Sequence, residues 1–506
     1  MKAIKRSDFL GHLAVASTAA AVALGVFLRF YRLDWQSLWV DEIHTLGPAL
    51  HASSLGDAFW NYINLAPSPP LYYLFIMAWT KVVGFSDWTL RLPSAVIGAV
   101  TIPIFWAGLS RTFDRPTTLV AVILMALSWP AIFYSQELRG YAAVLLFTTW
   151  AAVTWMAILE DFAGSRNSDW AQMTVASLLA SMTHPFGFIL SAFQFLYLFV
   201  VANSKRTHRV RSIVLGAVPV AAYAAWLSVN LVGIDWVLGK QNMYERPGLG
   251  FLVDVGAFLF HHPIPAVLSA VIPLALGAVA YARRLRVAIG LCHLSDPVIY
   301  LPFMLAAPFA FAFLVAQVQP FLYSRYLIPF LPFIFAFIAV VLSARPWRDR
   351  ATPVLLAFAL ATTSLFWILR DYYEVDKEQV RELGRYVRTV VGPNDAIVTG
   401  CETKAPFECA LGPGRRTDAD WSKYLYYLNY ESLPSLTMIP DVFHDQTELD
   451  TLFDLYRRDG KERVILMGSR RGFGYIEDAL PHIKARGYAC EVKQFHSAAV
   501  ALCPLS

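Results

Sequence analysis

The chain has 506 residues, of which 57% are hydrophobic and 16% charged, with 15 Trp, 23 Tyr, 35 Phe and a net charge of +5. Together with a positive mean hydropathy, this excludes a soluble enzyme of ordinary make-up and indicates a polytopic membrane protein. The positive balance does not describe a nucleic-acid surface, because the Lys and Arg residues fall in short loops between apolar stretches, where they act as topology signals.

Lys2, Lys5 and Arg6 precede an apolar run from Leu10 to Leu28 that has the look of a signal peptide. The run reaches the roughly 20 residues of a membrane crossing and lacks a small-residue cleavage site, so it predicts an uncleaved first span. A long loop follows, about residues 29 to 68, carrying Leu38-Trp39-Val40-Asp41-Glu42-Ile43-His44. Two adjacent carboxylates and an imidazole held near a bilayer are costly and are usually kept for chemistry. The structural reading beside it is a solvated loop or a capped short helix.

Residues 69–84 are apolar but too short for a full crossing. Further spans are predicted at about 89–110, 117–134, 141–160, 170–183, 186–202, 212–232, 263–282, 297–317, 327–343 and 351–369. If 69–84 lies along the membrane without crossing, the basic clusters at 2–6, 111–115, 205–211, 283–286 and 345–350 all face inward. A smaller set, including Arg29, Arg32, Arg91, Arg139 and Arg325, then faces outward, as the positive-inside rule requires. This predicts eleven crossings plus a juxtamembrane helix, with the N-terminus inside and the C-terminus outside.

The same parity collects the unusual polar sites on the outer face: Asp41, Glu42 and His44; Ser135-Gln136-Glu137-Leu138-Arg139-Gly140-Tyr141; the hairpin tip Thr183-His184-Pro185; and Tyr323-Ser324-Arg325-Tyr326. From Tyr372 the charge density rises and no segment is long enough to span. A transmembrane domain over 1–371 and a small outer α/β domain over 372–506 are therefore expected, with a helix at 377–391, strands at 396–399 and 464–467 and a helix at 476–486. Cys401, Cys409, Cys490 and Cys503 fall in that domain and Cys292 in an inner loop. Four outer thiols permit up to two disulfides in three pairings, and their spacing matches no zinc motif.

No glycine-rich phosphate loop is present, so a nucleotide-sugar or ATP substrate has no support. Neither H-E-x-x-H nor G-x-S-x-G occurs, which weakens protease and hydrolase readings. Five motifs in order, Leu38 to His44, Ser68-Pro69-Pro70-Leu71-Tyr72-Tyr73, Arg91-Leu92-Pro93-Ser94-Ala95, Tyr134 to Tyr141 and Ser324-Arg325-Tyr326-Leu327, resemble the bacterial branch of the protein O-mannosyltransferase and aminoarabinose-transferase family. The resemblance covers about residues 10 to 345. It implies the GT-C fold and a glycosyltransferase that uses a polyprenyl-phosphate sugar, and its acidic first outer loop and juxtamembrane helix agree with the parity argument.

By that resemblance Asp41 is the general base, since an acceptor hydroxyl is a poor nucleophile until its proton is taken. The leaving lipid phosphate needs a cation, for which Arg325 is the candidate, a guanidinium binding phosphate in bidentate fashion. Its structural alternative is an interfacial Arg reaching lipid headgroups. Glu137 and Arg139 match the second outer-loop motif, where acidic residues hold acceptor, phosphate or metal, and the two could equally pair with each other. Glu42, His44, Tyr141, His184, Tyr323 and Tyr326 complete the expected substrate-binding set. Glu42, His44, Glu137 and His184 could hold a divalent cation, and the residues leave metal dependence open.

The expectation is an inverting transfer of one sugar to a lipid, glycan or protein acceptor on the periplasmic face of a bacterial inner membrane. The alternatives are a transporter or flippase of lipid-linked sugars, against which the absence of an internal repeat counts, and a non-catalytic assembly factor.

Overall fold

The computed structural model describes residues 2–39, 41–43, 45–46, 54–65, 68–230, 246–248, 250–260, 281–290, 293–344, 350–372, 377, 379–400, 441–443, 446–469 and 471–505. The chain divides into two units. The first comprises Met1–Leu33, Phe59–Gly84 and Trp88–Asp371, and the second Asp34–Ala58, Phe85–Asp87 and Tyr372–Ser506.

In the first unit the described helices are α1 (Lys2–Phe30), α2 (Leu55–Leu65), α3 (Leu71–Val83), α4 (Asp87–Leu109), α5 (Arg115–Leu127), α6 (Trp129–Phe133), α7 (Tyr141–Glu160), α8 (Asn167–Ser181), α9 (Pro185–Lys205), α10 (Arg209–Val229), α11 (Phe251–Phe260), α12 (Pro297–Val318), α13 (Leu331–Ser343) and α14 (Thr352–Tyr372). Among the described residues seven helical segments are long and apolar enough to cross a membrane, or eight if a bent pair counts as one span. Residues 263–280 of the span expected at 263–282 lie outside the described residues. The segment expected at 170–183 forms α8, whose 15 residues are fewer than the roughly 20 of a full crossing, and the one expected at 351–369 forms α14, with 21 residues.

The bent pair is α5 with the segment 129–136, turning by 53°. Asp114 starts α5 by accepting the Thr117 N–H at 3.2 Å, and Pro116 fits its first turn. The helix stops at Ser128, whose extended backbone ends the ladder, and Pro130 has no N–H to give the Ala126 carbonyl. Arg29, buried in the last turn of α1, supplies the missing donors, reaching the Ala126 carbonyl at 3.0 Å and the Met125 carbonyl at 3.3 Å. Within a bilayer an unpaired carbonyl costs several kcal/mol, so this side chain completes the break. Gly25 makes the approach possible, since a Cβ there would stand 2.2 Å from the Ala126 oxygen. The sequence places Arg29 among the outer loop charges; the structure corrects this to a buried residue of the helix.

The α3 helix is 13 residues long, short of a crossing. Its first N–H bonds the Met182 carbonyl at 2.9 Å, and the Tyr72 hydroxyl meets Ser94 Oγ at 2.7 Å. Farther along the bundle, Trp155 donates to the Gln194 carbonyl at 3.0 Å and sets its ring edge-on to Tyr197, Tyr300 and Phe333. An indole can be buried at no cost only when its N–H finds such a partner.

Among its described residues the second unit contains a five-stranded sheet, β1 (Asp395–Gly400), β2 (Asp441–Phe443), β3 (Arg463–Ser469), β4 (Glu491–Phe495) and β5 (Ala498–Pro504), in the order β2-β1-β3-β5-β4. The β1 strand is parallel to β2 and β3, whereas β5 is antiparallel to β3 and β4. Helices α15 (Val380–Val390), α16 (Gln446–Arg458) and α17 (Arg471–Ala485) accompany it. Val464, Leu466, Phe453, Tyr456, Ile476 and Ile483 are buried together in its core. Asp395 takes two bonds from Arg463, at 2.9 and 2.7 Å, and one from the Gly392 N–H at 2.7 Å, so its buried charge is paired. Of the three thiol pairings left open, Cys490–Cys503 forms and ties the start of β4 to β5. Cys292, Cys401 and Cys409 lie outside the described residues.

Candidate functional site

In the first unit the expected residues converge on the hairpin tip between α8 and α9. His184 has extended backbone and caps α9, its Nδ1 accepting the Phe186 N–H at 3.2 Å, with Pro185 in the first helical position. An accepting Nδ1 leaves the ring proton on Nε2. Desolvation, then the guanidinium of Arg139, then that of Arg325, hold His184 well below the ordinary imidazole range. The ring is thus neutral, and two cations from different loops share its surroundings.

Aromatic side chains frame this cluster. The His184 ring lies 5.1 Å from that of Tyr326 and 5.6 Å from that of Tyr141, which in turn meets Tyr134 edge-on at 4.7 Å. Tyr323, Arg325 and Tyr326 come from the 3-10 turn Ser324–Phe330 and the residue before it. The Arg325 guanidinium sits 4.6 Å from the centre of the Tyr323 ring and 5.9 Å from that of Tyr326, close enough for cation–π attraction to hold its orientation. Arg139 reaches the Tyr73 hydroxyl at 3.4 Å, and the Tyr73 ring packs 4.4 Å from that of Tyr62. Tyr62 donates to the carbonyls of Ser68 and Pro69.

Two neighbours of Arg139 explain how its loop is held. Gln136 donates to the Leu28 carbonyl and, at 2.9 Å, to that of Tyr31, which fastens the loop to the end of α1. At Gly140 a Cβ would come within 3.3 Å of the Thr183 methyl and 3.4 Å of Tyr72 Cβ, so a small residue lets the loop press on the hairpin tip. Glu137, between them, is buried.

The first-loop residues belong to the second unit. Trp39 and Glu42 bond reciprocally: the Glu42 N–H gives to the Trp39 carbonyl at 2.9 Å, and Glu42 Oε2 accepts the Trp39 N–H at 3.3 Å. The second of these is the glutamate half of a capping box at a helix start, while the first is a backbone turn. Glu42 is fully buried and its carboxylate meets Lys377 Nζ at 3.2 Å. Asp41, one residue earlier, is half-buried. His44 lies outside the described residues. Glu42, expected to touch substrate, has its carboxylate paired with Lys377 within its own unit. Among the described residues no group of three or more His, Cys, Asp and Glu stands together as a metal-binding set.

Sequence reasoning missed Tyr62, Tyr73 and Lys377. Tyr73 closes the motif beginning at Ser68 and so carried a signal, whereas Lys377 reads as the polar start of an amphipathic helix.

The neutral imidazole makes an acid-side prediction. Its folded pKa is below the unfolded value of 6.5, so its stabilising share is complete above that pH and is lost as pH falls below it. The thermal midpoint of the wild type should therefore drop between pH 7 and 5 by more than that of His184→Gln, measured by differential scanning fluorimetry in detergent.

Residues 67–233 match the family model described as Dolichyl-phosphate-mannose-protein mannosyltransferase. No curated protein matches the chain. Among solved structures, the crystal structure of ArnT from Cupriavidus metallidurans in the apo state superposes with a TM-score of 0.61 at 12% identity, covering 97% of this chain and 98% of that one. The same protein bound to undecaprenyl phosphate gives 0.58 at 12% identity, over 96% and 97%. Arabinofuranosyltransferase AftD from Mycobacteria gives 0.50 at 14% identity, over 97% of this chain and 40% of that one. The chain is a multi-pass membrane protein with the GT-C fold and a small C-terminal α/β region.

Proposed function

We propose that this protein is a membrane glycosyltransferase that moves one sugar, with inversion, from a polyprenyl-phosphate donor to an acceptor hydroxyl on a lipid, glycan or protein. The observation that carries this reading is the pair of guanidiniums, Arg139 and Arg325, around a neutral His184 inside a ring of tyrosines. Two cations suit a leaving phosphate whose charge grows as the anomeric bond breaks, and Tyr141, Tyr323 and Tyr326 supply faces on which a sugar ring and a prenyl chain can lie. The undecaprenyl phosphate bound in the structurally similar ArnT is the same chemistry of ligand.

Asp41 is the general base. It removes the acceptor proton as oxygen bonds to the anomeric carbon, while the phosphate leaves as the lipid monophosphate. The transmembrane part, 1–371, performs this transfer on the periplasmic face of a bacterial inner membrane, and 372–506 forms a periplasmic domain.

The test uses the full chain in lipid nanodiscs with polyprenyl-phosphate sugars and mixed envelope acceptors. Release of the lipid monophosphate with a product of inverted anomeric configuration supports the reading. Movement of intact lipid-linked sugar across the bilayer, with no bond broken, would replace it with the transporter.

A further inference from the structure

The second unit contains a contact set that the reaction does not by itself explain. Residues 377 to 382, where α15 begins, grip residues 34 to 42, the start of the first loop. Lys377 donates its N–H to Gln36 Oε1 at 2.6 Å and its Nζ to Glu42 at 3.2 Å. Arg381 donates its N–H to Ser37 Oγ at 3.2 Å, and its guanidinium reaches the carbonyls of Asp34 and Trp35 at 2.8 and 3.0 Å and Asp87 at 2.9 Å. Glu382 takes the Ser37 hydroxyl at 3.0 Å and the Arg381 Nε–H at 2.9 Å. Two cations, one carboxylate and two backbone groups of this segment thus fasten nine residues of loop.

Charge burial makes the grip specific. The Glu42 side chain is 0% exposed and that of Lys377 only 12%. A carboxylate so enclosed needs its partner, and removing the partner leaves an uncompensated buried charge. Glu42 also closes the capping turn with Trp39, so its position and that of the preceding Asp41 backbone are set together.

We propose that Lys377 and Arg381 are positioning residues for the reaction, holding the Asp41 turn through Glu42 and Ser37, so that the C-terminal segment is a working part of the transferase. This rests on the role given to Asp41 above. A base displaced by about 1 Å loses roughly a hundredfold in rate without altering substrate affinity.

The experiment measures amide hydrogen exchange and turnover of the full chain in nanodiscs. Lys377→Met should speed exchange in peptides covering residues 36–46 at least tenfold while those of α7 and α9 are unchanged. Turnover should fall by about 10- to 100-fold with the donor KM within about threefold of wild type, and Lys377→Arg should recover most of it. Should Lys377→Met fail to fold, the double variant Glu42→Gln with Lys377→Met strands no charge and should show the same loosening and the same kcat loss. Unchanged exchange over 36–46, unchanged turnover, or a loss confined to donor KM would each overturn the proposal. A wild type inactive with every polyprenyl-phosphate donor would defeat the functional reading, while the exchange comparison still decides whether the grip exists.

Discussion

Asp41→Asn is expected to lower turnover by about three orders of magnitude while the protein folds, inserts and binds donor as before. The substitution preserves size and removes only basicity, and a positioned base contributes about 10²–10⁴-fold to a proton-transfer step. Because the donor phosphate is assigned to other side chains, KM for the polyprenyl-phosphate sugar should stay within about twofold, so the loss falls on kcat. Single-turnover transfer assays, with donor binding followed separately by tryptophan quenching, measure both. Retained activity in Asp41→Asn would remove Asp41 from its role, and an equal loss in binding would make it a donor ligand.

Arg325→Met should act on the other half of the reaction. It keeps the apolar stem but abolishes the charge and the paired N–H donors, a change of about 2–3 kcal/mol for a charge-assisted contact, or roughly 30- to 150-fold in kcat/KM. Affinity for the lipid monophosphate product should fall in parallel, as scintillation binding to the nanodisc protein would reveal. Arg325→Lys recovers only part, because an ammonium neither forks around phosphate nor stacks on Tyr323 as a guanidinium does. Arg139→Met is the companion measurement: with two cations beside His184, the two single losses should not add up to the double loss if they hold one phosphate in common. If Arg325→Met binds the monophosphate as tightly as wild type, Arg325 is an interfacial arginine instead.

Much of this architecture could be read from residue patterns because the bilayer imposes such a simple rule. Apolar runs such as 141–160 and 297–317 had no other stable fate, and α7 and α12 start and end within a residue of them. Arg139, Tyr141, His184, Arg325 and Tyr326 stood out in the sequence as polar and aromatic motifs beside apolar runs, though not as a packed cluster, since loops sharing a face need not touch. Arg29 was misjudged because charge counting assigns arginine to loops, and nothing local announces that carbonyls 96 and 97 positions away lack donors. The pairing of Glu42 with Lys377 spans 335 positions and has no periodicity to betray it. Disulfide choice was likewise a matter of which strands become neighbours, and β4 meeting β5 decides it for Cys490 and Cys503.

The guanidinium that caps the interrupted helix makes the end of α1 a structural partner of α5. A foreign span of equal greasiness could thread the lipid just as well, yet without an arginine at this place it would abandon two oxygens of the neighbouring helix. The last turn of α1 is therefore built into the interrupted helix beside it, and a substitute span would need a donor at the position of Arg29 to keep that break satisfied.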